Sequence, residues 1–392
     1  MQIPIIHLFI SGSKLKKYCN IIIIGFFSAI LLLPSAIWII PLLPESENNE
    51  NRALKRIPDF NIFLLDSFPK EYDEFYGDNF RLRNQLLKLN SKIKFHWFNI
   101  PPHTGKAFMG RQGWMFTIKD DMDHYLGNNI FNQDTLKRFI EIINYRKHVL
   151  DSLHCKYYFV IVPIKTSIYP EYLPLSKRKS GQANLTYQIR NALIKMPDIR
   201  VIDLRDALIK AKNEERLYHK TDNHWNAYGG YVAYREIMET ISKDYPNLQP
   251  VDLSQFKIER VETEGKMLTR MMGIFEGVKE IDIRLKPKFD GKVRVGVESS
   301  YKPPAYFPYK NAYETVYINN NTNKPKLLVI QDSFGSTLEP FLSEHFSKSV
   351  FIFDGWQHNL NEKILLNEKP DIFIQLVSES LLPNIPENAK KP

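Results

Sequence analysis

Five short runs, YYFVIVPI (157–164), IRVIDL (199–204), KLLVIQD (326–332), SVFIFDGW (349–356) and DIFIQLV (371–377), are almost continuously apolar. A strand with one wet face alternates apolar and polar residues. Runs without alternation therefore belong to strands covered on both faces, the signature of a parallel sheet between helical layers. Segments of helical period separate them: over 134–153, Leu136, Phe139, Ile140 and Ile143 recur at spacings of three, four and seven. The expectation is a three-layer α/β/α domain with a parallel sheet.

Between about 252 and 320 the pattern changes. FKIERVET, KEIDIRLKPKF, KVRVGVES and ETVYINNN alternate apolar with polar residues, as antiparallel strands do, and mark a β-rich insertion. Upstream, GRQGWMFT (110–117) joins glycine turn signals to an aromatic strand and begins the folded domain, assigned to 106–392. Residues 44–105 are polar, with a helix expected over Phe80 to Phe95, and form a juxtamembrane stalk.

The membrane enters through IIIIGFFSAILLLPSAIWIIPLL, residues 21–43, an uncharged run long enough to cross a bilayer as one helix. Lys14, Lys16 and Lys17 precede it and Glu45, Glu47 and Glu50 follow. By the positive-inside rule, residues 1–20 form a cytoplasmic tail and everything from about residue 44 lies outside the cytoplasm, on the periplasmic side of the inner membrane. The run is too long, and too bulky at its end, for a cleaved signal peptide. This topology separates the two cysteines, Cys19 and Cys155, so no disulfide is expected between them. A net charge of +9 is spread along the chain without a basic block interleaved with aromatics, which argues against nucleic acid as a partner.

In open α/β sheets, sites gather at the carboxyl ends of strands. LLVIQDSFGSTLEPFL places Ser333 on a strand-to-helix turn, where a hydroxyl is exposed and helix-start N–H groups can face an oxyanion; the same position suits an N-cap by Asp332 or Ser333. A serine needs a base held by a carboxylate. TDNHWNAYGGY (221–231) offers one, because side chains at i and i+2 point the same way, so Asp222 can orient His224. Thr221 or Asp222 capping the following helix is the competing reading. His219, Asp222 and His224 also number three metal donors. However, His219 is out of phase with the pair and no other clustered His or Cys completes a set, so neither metal nor cofactor is expected. Lys165 follows an apolar strand and either reaches the site edge or is a solvated loop residue. Trp225 and Trp356 either stack on sugar rings or pack.

With those residues in view, the chain resembles the SGNH-hydrolase-like domain of the alginate O-acetyltransferase family, of AlgJ and AlgX type and related to the DHHW proteins. The resemblance runs from about 50 to 380 through ENRAL (50–54), DNFRLRNQL (78–86), GRQGWMF (110–116), VPIKTSIYPEYLP (162–174), TDNHWNAYGGY and LVIQDSFGSTLEPFL. It implies an SGNH-hydrolase-like fold with a flavodoxin-like parallel sheet, and Ser333 as nucleophile, His224 as general base and acid, and Asp222 as its orienting carboxylate. Gln331 departs from the family pattern, standing where glycine begins the usual Gly-Asp-Ser. The activity implied is acetyl transfer through a Ser333 acyl-enzyme to hydroxyls of an exported bacterial polysaccharide. The acetyl donor implied is a membrane-bound O-acyltransferase. A carbohydrate acetylesterase with the same triad, and a non-catalytic glycan-binding or assembly subunit, are the alternatives.

Overall fold

The five apolar runs pair side by side, all parallel, within one seven-stranded sheet of the computed structural model. The structure describes residues 12–39, 54–60, 66–80, 82–94, 105–119, 121–178, 184–196, 199–274, 277–291, 293–296, 300–305, 307, 309–355, 357 and 359–388. They fall in two compact units, one within 1–100 and one within 101–392.

In the second unit the strands are β1 (Ala107–Met109), β2 (Met115–Thr117), β3 (Lys156–Val162), β4 (Arg200–Asp203), β5 (Phe256–Glu264) and β6 (Lys279–Pro287). They continue as β7 (Val293–Val295), β8 (Glu314–Asn319), β9 (Lys326–Gln331), β10 (Lys348–Phe353) and β11 (Ile372–Ser378). The large sheet has the order β4-β3-β11-β9-β10-β8-β7. Residues on alternate positions feed two separate cores. Tyr158, Val160, Leu327, Val329 and Leu376 pack on one face with the helix Ala227–Asp244, while Phe159, Ile161, Leu328, Ile330 and Phe373 pack on the other with the helix Gln133–Ser152. Both faces are thus dry, and most strand residues are apolar for their own layer, with Gln331, Ser349 and Gln375 among the buried exceptions.

The sheet differs from the expectation in two respects. It is mixed, because β8 runs antiparallel to β10 and β7 antiparallel to β8. The insertion therefore divides: β5 and β6 form a ribbon of their own, and β7 and β8 extend the main sheet. Their alternating, half-exposed sequences suit an edge. The order is also not flavodoxin-like, since the last strand, β11, lies in the middle rather than at the rim. All seven β11 residues are buried, and a strand with no polar face has no place at an edge.

Local signals set the helix starts. Asn132 caps Gln133–Ser152 by accepting the Thr135 N–H at 2.8 Å, and Asn226 caps Ala227–Asp244 by accepting from Tyr228 and Gly229 at 2.9 and 3.0 Å. Asn226 thus takes the capping role that the sequence left open to Thr221 or Asp222. Cys155 is buried with a free thiol, which burial pushes up to about 12; Cys19 is also free.

In the first unit a helix spans Gly12–Ile39, with Ile21, Ile22, Ile23, Ile24, Phe26 and Phe27 exposed. The expected membrane span continues to residue 43, and its last four residues lie outside the described ones. Among the described residues no helix is long and apolar enough to cross a membrane. In the expected stalk, the helix Arg83–Lys92 falls within the expected 80–95, whose last residue lies outside the described ones, and a further helix, Phe68–Asn79, precedes it. ENRAL lies outside the described residues except for Leu54.

Close packing at the start of Ala227–Asp244 fixes what lies beside it. A Cβ on Gly229 would stand 2.4 Å from the Leu217 carbonyl oxygen, and one on Gly230 2.5 Å from Thr337 Cγ2. Gly229→Ala is expected to destabilise the protein by about 1–3 kcal/mol, since a backbone oxygen has to move. The check is the urea midpoint of the full chain, and a midpoint equal to wild type would show that this contact is not tight.

Candidate active site

Residues 217–226 fold back on themselves as a small hairpin. Tyr218 and Trp225 form an antiparallel bridge, the Asn226 N–H donates to Leu217 O at 2.8 Å and the His219 N–H to His224 O at 3.1 Å. At its tip, the Asp222 carboxylate accepts the His224 N–H at 3.1 Å, and the same oxygen lies 2.7 Å from His224 Nδ1. A carboxylate only accepts, so Nδ1 carries the proton and Nε2 is left with a lone pair. Nε2 lies 2.7 Å from Ser333 Oγ, 109 residues away in the chain. The pair predicted from i and i+2 spacing and the serine of the distant turn therefore meet. Burial works to raise the Asp222 pKa, but the hydrogen bonds and charge of His224 outweigh it and hold the carboxyl well below the usual range.

The serine turn is built around a different carboxylate. Asp332 is buried, and accepts the Phe334 N–H at 3.0 Å and the Ser378 N–H at 2.6 Å. Burial raises its pKa against those two bonds. Asp332 thereby braces the turn without capping a helix, since the short helical turn Gly335–Thr337 has no side-chain cap, and the exposed Ser333 is free to face His224. Phe334 turns inward, with its ring 4.8 Å from the His224 ring and edge-on to Trp225 at 5.1 Å. Gln331 occupies the position of the family glycine and is buried, its amide donating to Glu339 at 2.5 Å in the helix Glu339–Ser343. Gln331 therefore braces the segment after the turn.

The other sequence candidates fall elsewhere. Lys165 is buried, not at a wet edge, and its ammonium donates to the carbonyls of His219, Lys220 and Asp222 at 3.1, 3.2 and 2.5 Å. Trp225 is buried behind the hairpin, with no partner for Nε1 among the described residues. Burial removes both side chains from the expected contact with substrate. Trp356 lies outside the described residues. His219 is drawn away from Asp222, with Nδ1 3.0 Å from Glu280 Oε1 and 3.6 Å from Asp282 Oδ1. Among the described residues no group of three or more His, Cys, Asp or Glu is placed to hold a metal ion.

Two buried acids that drew no notice in the sequence support the site. On β6, Glu280 accepts the Thr221 N–H at 2.7 Å, takes the Thr221 hydroxyl and pairs with His219. Burial opposes the charge, yet these partners lower its pKa to about 2. At the end of β11, Glu379 accepts the Ile164 N–H at 3.0 Å and the Ser167 and Thr186 hydroxyls at 2.6 and 2.9 Å, and pairs with Arg205 and His124. The available signal for Glu280 was its position in KEIDIRL, where the alternation puts two acids on the face opposite Ile281. That face is inward: Ile281 is exposed and Glu280 buried. A cavity of about 740 Å³ opens beyond β9 and β10, lined by Tyr145, Arg146, Tyr313, Asp354 and Asn361 among others.

Because the folded pKa of Glu280 lies below its unfolded value, its contribution is present above about pH 4.3 and is lost as pH falls towards about 2. Glu280→Gln is expected to cost about 1.5–3 kcal/mol near pH 7. It should also shrink the fall in stability between about pH 5 and 3, read by urea unfolding at each pH; an unchanged acid slope would mean the acid is not anchoring the hairpin.

Residues 107–294 match the family described as "SGNH hydrolase-like domain, acetyltransferase AlgX", a match that includes Asp222 and His224 and ends before Ser333. A protein named "probable alginate O-acetylase AlgJ" from Pseudomonas syringae pv. tomato is 26% identical over 202 residues, 51% of this chain and 49% of the relative. The protein of that name from Pseudomonas aeruginosa is 25% identical over 205 residues, 50% of each chain. This chain thus spans about half the length of the curated relatives it matches. In fold, it is similar to Bacillus cereus PatB1 solved with a sulfonyl adduct, with TM-score 0.54 at 19% identity, covering 72% of this chain and 98% of that one. It is similar also to a DHHW family protein from Eubacterium siraeum, with TM-score 0.52 at 17% identity, covering 74% and 97%. An SGNH-like α/β fold and collinear sequence likeness agree, and both make the chain similar to the AlgJ/AlgX-type family of SGNH hydrolase-like proteins.

Proposed function

We propose that this protein is an O-acetyltransferase that modifies hydroxyls of an exported bacterial polysaccharide through an acetyl-Ser333 intermediate. The observation that carries the reading is His224 standing 2.7 Å from both Ser333 Oγ and Asp222 Oδ1. The family likeness supports the acyl group and the acceptor class, since the relatives are named alginate O-acetylases.

In this reading Ser333 Oγ attacks the acetyl carbonyl of the donor as its proton passes to His224 Nε2. The imidazolium is stabilised by Asp222 and returns the proton to the leaving group. An acceptor hydroxyl then gives its proton to Nε2 and attacks the acetyl-serine; Ser333 Oγ leaves and is reprotonated by His224. The backbone N–H of Ser333 has no acceptor among the described residues and is the proposed first donor to the oxyanion. Asp222 is fully charged at neutral pH, as an orienting carboxylate needs to be.

The uncharged run at 21–43, with lysines before it and glutamates after it, supports anchoring in the inner membrane with the domain on the periplasmic side. Acetyl groups made in the cytoplasm then require a carrier, for which a membrane-bound O-acyltransferase is the proposed donor.

The full chain incubated with an acetyl ester and an oligosaccharide acceptor is expected to yield acetylated sugar. Ser333→Ala should lower that rate by at least about a thousandfold. Free acetate without acetylated sugar would instead make the protein an esterase. Polymer acetylation in cells that is undiminished by Ser333→Ala would leave a binding or assembly role.

A further inference from the structure

Lys165 is a buried charged side chain that engages the hairpin of Asp222 and His224 through that hairpin's carbonyls. It is 1% exposed and follows β3. Its three acceptors, the carbonyls of His219, Lys220 and Asp222, are successive points along the strand of the hairpin that ends in the orienting carboxylate. Its ammonium also lies 5.8 Å from the Trp114 ring centroid and 5.2 Å from that of Phe116. Three separated sequence motifs, GRQGWMF, VPIKTS and TDNHW, therefore converge on one amine. The Met115 N–H donates to Lys220 O at 2.9 Å and seals the same junction.

Such placement is costly for a lysine unless the ammonium is well solvated by the protein. Three carbonyl dipoles and two aromatic faces provide that solvation. Burial pushes its pKa down to about 7, Asp222, Glu280 and Asp121 oppose the fall, and Arg216 adds to it. The charge is therefore present on the acid side of neutrality.

We propose that Lys165 is a positioning residue, which clamps the hairpin bearing Asp222 and His224 to the body of the domain and sets, through its charge, the pH at which the array works. The proposal rests on the reading of Ser333, His224 and Asp222 as the reacting groups. The sign follows from electrostatics: a positive charge behind Asp222 disfavours a second one on the imidazole, so removing it eases protonation of the base. Asp222, Glu280 and Asp121 face Lys165 with the opposite sign and Arg216 with the same sign, and all four remain in place in the variants below.

The test is the rate of acetyl release from 4-nitrophenyl acetate by the full chain from about pH 5 to 9, for wild type, Lys165→Met and Lys165→Gln, with Ser333→Ala as reference. Lys165→Met should lower kcat/KM at least about tenfold at pH 7 with little change in KM, and move the acidic limb up by about half a pH unit or more. Lys165→Gln keeps two amide N–H donors on a shorter stem and loses the charge, so it should show the same displaced limb with a smaller loss of rate than Lys165→Met. A merely structural role would lower the folded fraction equally at every pH and leave the limb in place. Folded variants with a wild-type limb overturn the proposal, as does failure of both variants to fold, which would make Lys165 a folding residue. If Ser333→Ala keeps the wild-type rate, the reading of Ser333 fails instead, and that outcome is distinct from the other two.

Discussion

The buried carboxylate of Asp332 is the interaction on which the site depends. It receives one N–H from its own turn and one from the end of β11, and so ties the strand that presents Ser333 to its neighbour in the sheet. Asp332 leads to Ser378, and the next residue is Glu379, which gathers the loop after β3 and the side chains of Arg205 and His124. From that loop Lys165 reaches the hairpin of His224. Charged groups placed in a dry interior are expensive singly, and here each is met by several donors or acceptors. The result is a continuous polar seam along the carboxyl edge of the sheet.

Much of the scaffold was legible because its signals are local. The five apolar runs alternate between two cores without showing it in polarity, yet their lack of polar residues alone implied a doubly covered sheet. Asp222 and His224 were legible for the same reason, two residues apart on one side of a turn. What stayed hidden was long-range. His219 has a role because Glu280 arrives 61 residues later, and Lys165 is buried because three carbonyls of a distant hairpin converge on it. A lysine after a strand carries no mark of this, and Trp225 carries none of facing inward. Likewise, the central place of β11 follows from burial on both sides, which the apolar run allowed but did not order.

Gln331 shows how a departure from a motif is absorbed. A glycine there would leave Glu339 without the amide it meets at 2.5 Å, so the wider residue comes paired with an acid eight positions on. Space is found at Gly335, where a Cβ would lie 2.1 Å from the Gln331 amide oxygen. Asp332 and Ser333 keep their roles because the exchange is completed among Gln331, Gly335 and Glu339, on the buried side of the turn.

The insertion sits, in chain order, between the helix that follows the His224 hairpin and the strand that leads to Ser333. Its ribbon and edge strands lie off the central parallel strands, so its length and outer surface are free to diverge without disturbing the spacing of the reacting groups. The inward residues of the ribbon are not free in that way: Phe256 and Ile283 pack into the main core, and Glu280 reaches the hairpin. Glu280 is bonded to Thr221, next in the chain to Asp222, so a replacement segment of any design would have to deliver an acid to that point. A region that looks like an interchangeable module is thus held wherever it meets Thr221, by the Glu280 carboxylate and by the N–H groups of Lys266 and Leu268, and is freer beyond those points.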